Sequence, residues 1–86
     1  MNHGEVLELI ERELDSLFRQ QSERASKLAH RLIPELTPED LLNPDDYPQL
    51  LEAPEFMFEH GAACGVMSAK IALRSALKEL AEDSAR

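Results

Sequence analysis

The sequence predicts an all-α fold, an antiparallel helical hairpin of two long helices with a short helical connector, pairing into a dimeric four-helix bundle. Three observations carry this. Two long stretches with apolar residues at three- and four-residue spacing flank a segment that holds all five prolines and no glycine. Residues 61–76, Gly-Ala-Ala-Cys-Gly-Val-Met-Ser-Ala-Lys-Ile-Ala-Leu-Arg-Ser-Ala, are crowded with small side chains. The chain has 86 residues and one cysteine, so its own core is small and an intramolecular disulfide is excluded. A second copy is then the natural source of the missing core.

The first helix is expected over about residues 4–33. Leu7, Ile10, Leu14, Leu17, Phe18, Ala25, Leu28, Ala29, Leu32 and Ile33 mark its apolar side. Acid-before-base pairs four residues apart, Glu8 with Arg12, Asp15 with Arg19 and Glu23 with Lys27, support its outer side. Pro34 ends it, because the ring clashes with the preceding turn.

The connector, residues 34–53, contains two helix-start signals. In Thr37-Pro38-Glu39-Asp40, Thr37 caps and Pro38 takes the first helical position; Asn43-Pro44-Asp45-Asp46 repeats the pattern. Two short turns are expected, about 38–42 and 44–47 or slightly longer. Leu41, Leu42, Tyr47, Leu50 and Leu51 are expected to cover the end of the helix pair.

The second long helix is expected over about 54–82, entered through Pro54, with a fraying tail from Glu82 to Arg86. Phe56, His60, Ala63, Cys64, Met67, Ile71 and Leu77 form one face, and Met57, Gly61, Gly65, Ala69, Ala72 and Ala76 an adjoining one. Two glycines inside a helix cost roughly 1 kcal/mol each relative to alanine, and close approach of another helix would offset that. Gly61, Cys64, Gly65, Ala69, Ala72 and Ala76 are therefore the expected helix-packing or dimer interface.

Catalytic motifs are absent. The sequence has no phosphate-binding glycine loop, nucleophile elbow or zinc-protease signature. Glu55, Glu59 and His60 lie close together, yet the Glu-x-x-His spacing of two-metal helical bundles is missing. His60 and Cys64 are four apart, and a histidine can activate a thiol, but no second cysteine accompanies them. No catalytic, cofactor-binding or metal-binding residue is assigned, and no cofactor is expected.

A net charge of −8 opposes binding to nucleic acid or anionic lipid and suits a basic partner protein. The Gly61-x-x-x-Gly65 pair resembles a membrane dimerisation motif, but Lys70 and Arg74 interrupt the apolar run, so no membrane association is expected. The lone thiol and the absence of a basic-then-apolar start suggest a cytoplasmic protein. The expected function is a small acidic self-associating protein that acts as an interaction, adaptor or regulatory module. Tyr47, Leu50 and Phe58 are its expected partner-docking residues. The alternative is a small metal- or thiol-dependent enzyme at the dimer interface, using Glu55, Glu59, His60 and Cys64.

Overall fold

A computed structural model describes residues 1–84. The long helix α1 spans His3–Leu32, a one-turn helix α2 spans Pro48–Leu51, and the long helix α3 spans Pro54–Ser84. Two 3₁₀ turns, Asp40–Leu42 and Pro44–Asp46, lie between α1 and α2. The described residues contain no strand.

Helix α1 begins one residue earlier than expected because Asn2 caps it. The Asn2 side chain accepts a hydrogen bond from the Glu5 amide at 2.8 Å, which satisfies one of the helix's free N–H groups. Gly4 suits this cap, since a Cβ there would lie 3.3 Å from the Asn2 side-chain oxygen. Pro34 stops the helix as expected, and the Ile33 amide makes the last bond back to the Ala29 carbonyl at 2.8 Å.

Helices α1 and α3 pack side by side and run antiparallel. Glu11 pairs with Arg74 and Asp15 with Lys70, so partners rise along one helix as they fall along the other. The Asp15 carboxylate thus bonds a cation on α3, not Arg19 as the four-residue spacing suggested. The molecule is a rod of 52 × 20 × 20 Å with a radius of gyration of 16.7 Å. A compact domain of this length has about 12 Å. The hairpin is too slender to enclose a large interior.

What core there is sits at the connector end. Ala25 and Ala29 of α1, Leu36, Leu50 of α2 and Phe56 of α3 form one buried cluster. Leu28, Ile33, Leu41, Tyr47 and Ala53 pack against it. The two alanines let the connector fold close to the α1 backbone, and Leu50 and Phe56 fill the space. Two of the expected cover residues are misplaced. Leu42 is 78% exposed and Leu51 is also exposed, while Leu36 and Pro44, which lack a periodic neighbourhood, are buried.

A histidine fixes the connector to α1. The His30 Nε2 lies 2.8 Å from the Leu36 carbonyl oxygen, with the Ser26 hydroxyl 3.4 Å from Nδ1. A carbonyl only accepts, so Nε2 carries the proton. Thr37 and Asp40 form a reciprocal box: the Asp40 amide donates to the Thr37 hydroxyl at 3.2 Å, and the Thr37 amide donates to the Asp40 carboxylate at 3.0 Å. Of the expected fraying tail, Glu82 and Asp83 are helical, and residues 85–86 lie outside the described residues.

Candidate interaction surface

The inner side of α3 is set by Phe56 and Ala63, both buried, with Met67 and Lys70 half-buried below them. These residues recur at intervals of three, four or seven, so they stack on the face toward α1. Gly61, Cys64, Gly65, Ala69, Ala72 and Ala76 lie on other faces and are all exposed. A Cβ built at Gly61 or Gly65 would meet nothing within 4 Å. The small residues are therefore not required by the packing of α1 on α3. Cys64 and Ile71, grouped in sequence with the inward face, are also exposed, Ile71 by 59%.

The distribution of charge on α3 is unusual. Lys70 and Arg74 are the only lysine, arginine or carboxylate residues between Glu59 and Lys78, and both turn toward acids of α1. The outward face from Met57 to Ala76 is left with Gly, Ala, Ser and Cys, flanked by Met57, Phe58 and Ile71. A solvent-facing helical surface is normally charged or polar, and a helix apolar on both sides is normally covered on both.

The connector and the start of α3 are rich in acids. No lysine or arginine occurs from residue 32 to residue 69, whereas eight acids do, which equals the chain's entire net charge of −8. Arg24, Lys27 and Arg31 of α1 lie beside Glu55 and Glu59 at the same end of the rod and partly offset these acids. Among the expected docking residues, Phe58 is 73% exposed and lines a groove with Arg24, Lys27 and Arg31. Tyr47 is half-buried against the core, and Leu50 is fully buried, so Leu50 cannot dock a partner in this fold. Two groups of the connector have shifted titrations. The Thr37 amide, and then the Tyr47 hydroxyl, hold Asp40 below the usual carboxylate range. Hydrogen bonding to Asp40 raises the Tyr47 phenol above its ordinary value.

Residues considered for chemistry fall on two sides of α3. The His60 ring stacks on Phe56 with centroids 5.5 Å apart, and its Nε2 lies 3.7 Å from the Cys64 sulfur. This pair lines a groove of about 660 Å³ with Phe18, Leu41 and Leu42. Glu55 and Glu59 instead line a separate groove beside Arg24, Lys27 and Arg31. With the Gln21 amide oriented to satisfy its neighbours, its nitrogen donates to Glu59 at 2.6 Å and its oxygen accepts from Arg24 at 3.3 Å. Glu59 is engaged by α1, and neither carboxylate joins His60 and Cys64. Among the described residues, no three His, Cys, Asp or Glu side chains converge as metal ligands. No helix of the described residues is long and apolar enough to cross a membrane. No family model, no curated protein and no solved structure matches the chain.

Proposed function

We propose that the chain is a self-associating interaction or adaptor module, in which two hairpins complete a four-helix bundle and present their acidic connector ends to a basic partner protein. One observation carries the reading: the outward face of α3 has no charged side chain over the whole stretch from Met57 to Ala76. Such a face suits burial against a second helical surface, not permanent exposure to water. The acids of the connector supply charge for steering, and the exposed Phe58, beside Arg24, Lys27 and Arg31, supplies an aromatic anchor for docking. A cytoplasmic location, where thiols stay reduced, suits the lone free thiol of this reading.

The test is unfolding in urea at several protein concentrations. A dimer is stabilised by mass action, so the midpoint rises with protein concentration. A midpoint independent of concentration contradicts the proposal. For the partner, Phe58→Ala is expected to abolish co-purification of a basic protein while leaving the helical circular dichroism unchanged.

The alternative, a thiol-dependent enzyme, rests on the 3.7 Å contact between His60 and Cys64. It predicts a thiol that alkylates far faster than a free cysteine at neutral pH, and that slows on His60→Ala. Stoichiometric metal in the purified protein would favour the metal form of this alternative.

A further inference from the structure

We infer that the groove between Phe58 of α3 and Arg24, Lys27 and Arg31 of α1 takes an acidic amphipathic helix of the partner protein. This rests on the interaction-module reading above and names the chemistry of the segment that meets Phe58. The groove has a volume of about 520 Å³, and the half-buried Leu28 supplies apolar surface within it.

The three cations form a row that the fold itself does not use. They lie three and four residues apart, so they share one face of α1 and span about 10 Å of its axis at 1.5 Å per residue. All three are exposed. The ion pairs among the described residues join Lys70 to Asp15 and Arg74 to Glu11, and none of the three takes part. Lys27 does not pair with Glu23, as the four-residue spacing suggested. Glu55 and Glu59 also line the groove, yet neither forms an ion pair with the row. Glu59 instead accepts a hydrogen bond from the Gln21 amide at 2.6 Å, and the oxygen of that amide accepts from Arg24 at 3.3 Å. Gln21 thereby positions Arg24 without neutralising it. Three cations against two acids leave the lining net positive.

Charge and spacing together select the occupant. A basic segment at Phe58 would set like charges against the row, so the partner's basic surface faces the connector acids instead. A helix repeats its side chains at the same intervals as α1. Carboxylates at i, i+3 and i+7, or at i, i+4 and i+7 in the reverse direction, therefore meet all three cations at once. Beside this acidic row an apolar side chain packs on Phe58, which is 73% exposed, and on Leu28. A single phosphate group is too small to span the row, and the chain's net charge of −8 opposes a nucleic-acid strand.

Fluorescence anisotropy with a labelled peptide tests this. The probe is a capped peptide of about 18 residues, long enough to be helical. It carries glutamates at i, i+3, i+4 and i+7, leucines at i+1 and i+8, and alanine and glutamine elsewhere. Saturable binding is expected, with a dissociation constant below about 1 mM that rises as salt is added. Lys27→Glu and Phe58→Ala, both at exposed positions, should each weaken binding about tenfold or more with the circular dichroism unchanged. Failure to saturate by about 1 mM overturns the proposal, as does an affinity that neither substitution moves. Equal binding of a peptide with lysine in place of glutamate overturns the charge argument. Equal binding of a rearranged peptide, its glutamates spread around the helix, overturns the helical match. Tighter binding of an oligothymidylate than of the peptide assigns the row to nucleic acid, and loss of a dimer on Lys27→Glu assigns it to a second copy; either overturns the acidic helix. Binding of the peptide by a chain that sediments as a monomer supports the groove and contradicts only the self-association.

Discussion

Lys70 of α3 donates to the Asp15 carboxylate of α1 at 2.5 Å, joining residues 55 positions apart in the chain. With Arg74 to Glu11, one turn further along, it turns the central cations of α3 toward its mate. The outward side of the same helix is left uncharged as a result. Part of the Asp15 side chain remains in water, so the pair itself contributes little; a double-mutant cycle on Asp15→Ala and Lys70→Ala is expected to give a coupling of about 0.2–1 kcal/mol. Urea denaturation of the four proteins measures it. Coupling is expected to shrink as salt is added.

Gly65 separates folding from association. Nothing lies within 4 Å of a Cβ there, so Gly65→Ala should stabilise the isolated hairpin by about 0.8–1 kcal/mol through helix propensity alone. Gly65→Leu keeps the hairpin helical but drives two close-packed helices apart, an overpacking of about 1–3 kcal/mol, so the dissociation constant should rise about tenfold or more. Circular dichroism and sedimentation on each variant distinguish the two effects.

The connector core concentrates stability at one end. Leu50→Ala removes a fully buried side chain and should cost about 2–5 kcal/mol, enough to unfold a domain of marginal stability. His30→Ala removes the donor to the Leu36 carbonyl and should cost about 0.5–1.5 kcal/mol, measured by thermal unfolding. Hydrogen exchange should be slowest around Ala29 and Phe56, at the connector end, and faster toward the open end of the rod.

The chain's single tyrosine and lack of tryptophan make Tyr47 directly observable by phenolate absorbance. Hydrogen bonding to Asp40 raises its titration, so the midpoint should lie above 10, and Asp40→Asn should bring it back toward about 10. The sign for stability follows. Because the folded value is raised, the Tyr47 contribution is complete below about pH 10 and is lost as pH climbs through the raised value. The Asp40 value is lowered, so its contribution is complete above about pH 4 and is lost as pH falls through the lowered value.

Both long helices were legible in the sequence because their apolar spacing runs for many turns without proline, and Pro34 and Pro54 bracket the connector. The Thr37 cap was legible for the same local reason. Other features depend on contacts that spacing does not encode. His30 holds the Leu36 carbonyl where Leu36 is buried, and Leu42 is exposed at the rim of the groove that Phe18 also lines. Leu50 looked available for a partner from its place in a polar, proline-rich loop, yet α2 turns it into the core. Cys64 illustrates the converse. Its place among small residues suggested burial, but it is exposed in the groove that Phe18 of α1 also lines. The run of acids between residues 32 and 69 was readable from the beginning, but the fold sets Arg24, Lys27 and Arg31 of α1 beside Glu55 and Glu59, which the sequence order hid.

Sedimentation equilibrium of the wild-type protein at micromolar concentration, near neutral pH and physiological salt, tests the central claim most directly. The uncharged outward face of α3 predicts a mass twice the 9.7 kDa of the chain. A single species of 9.7 kDa across that range would contradict it.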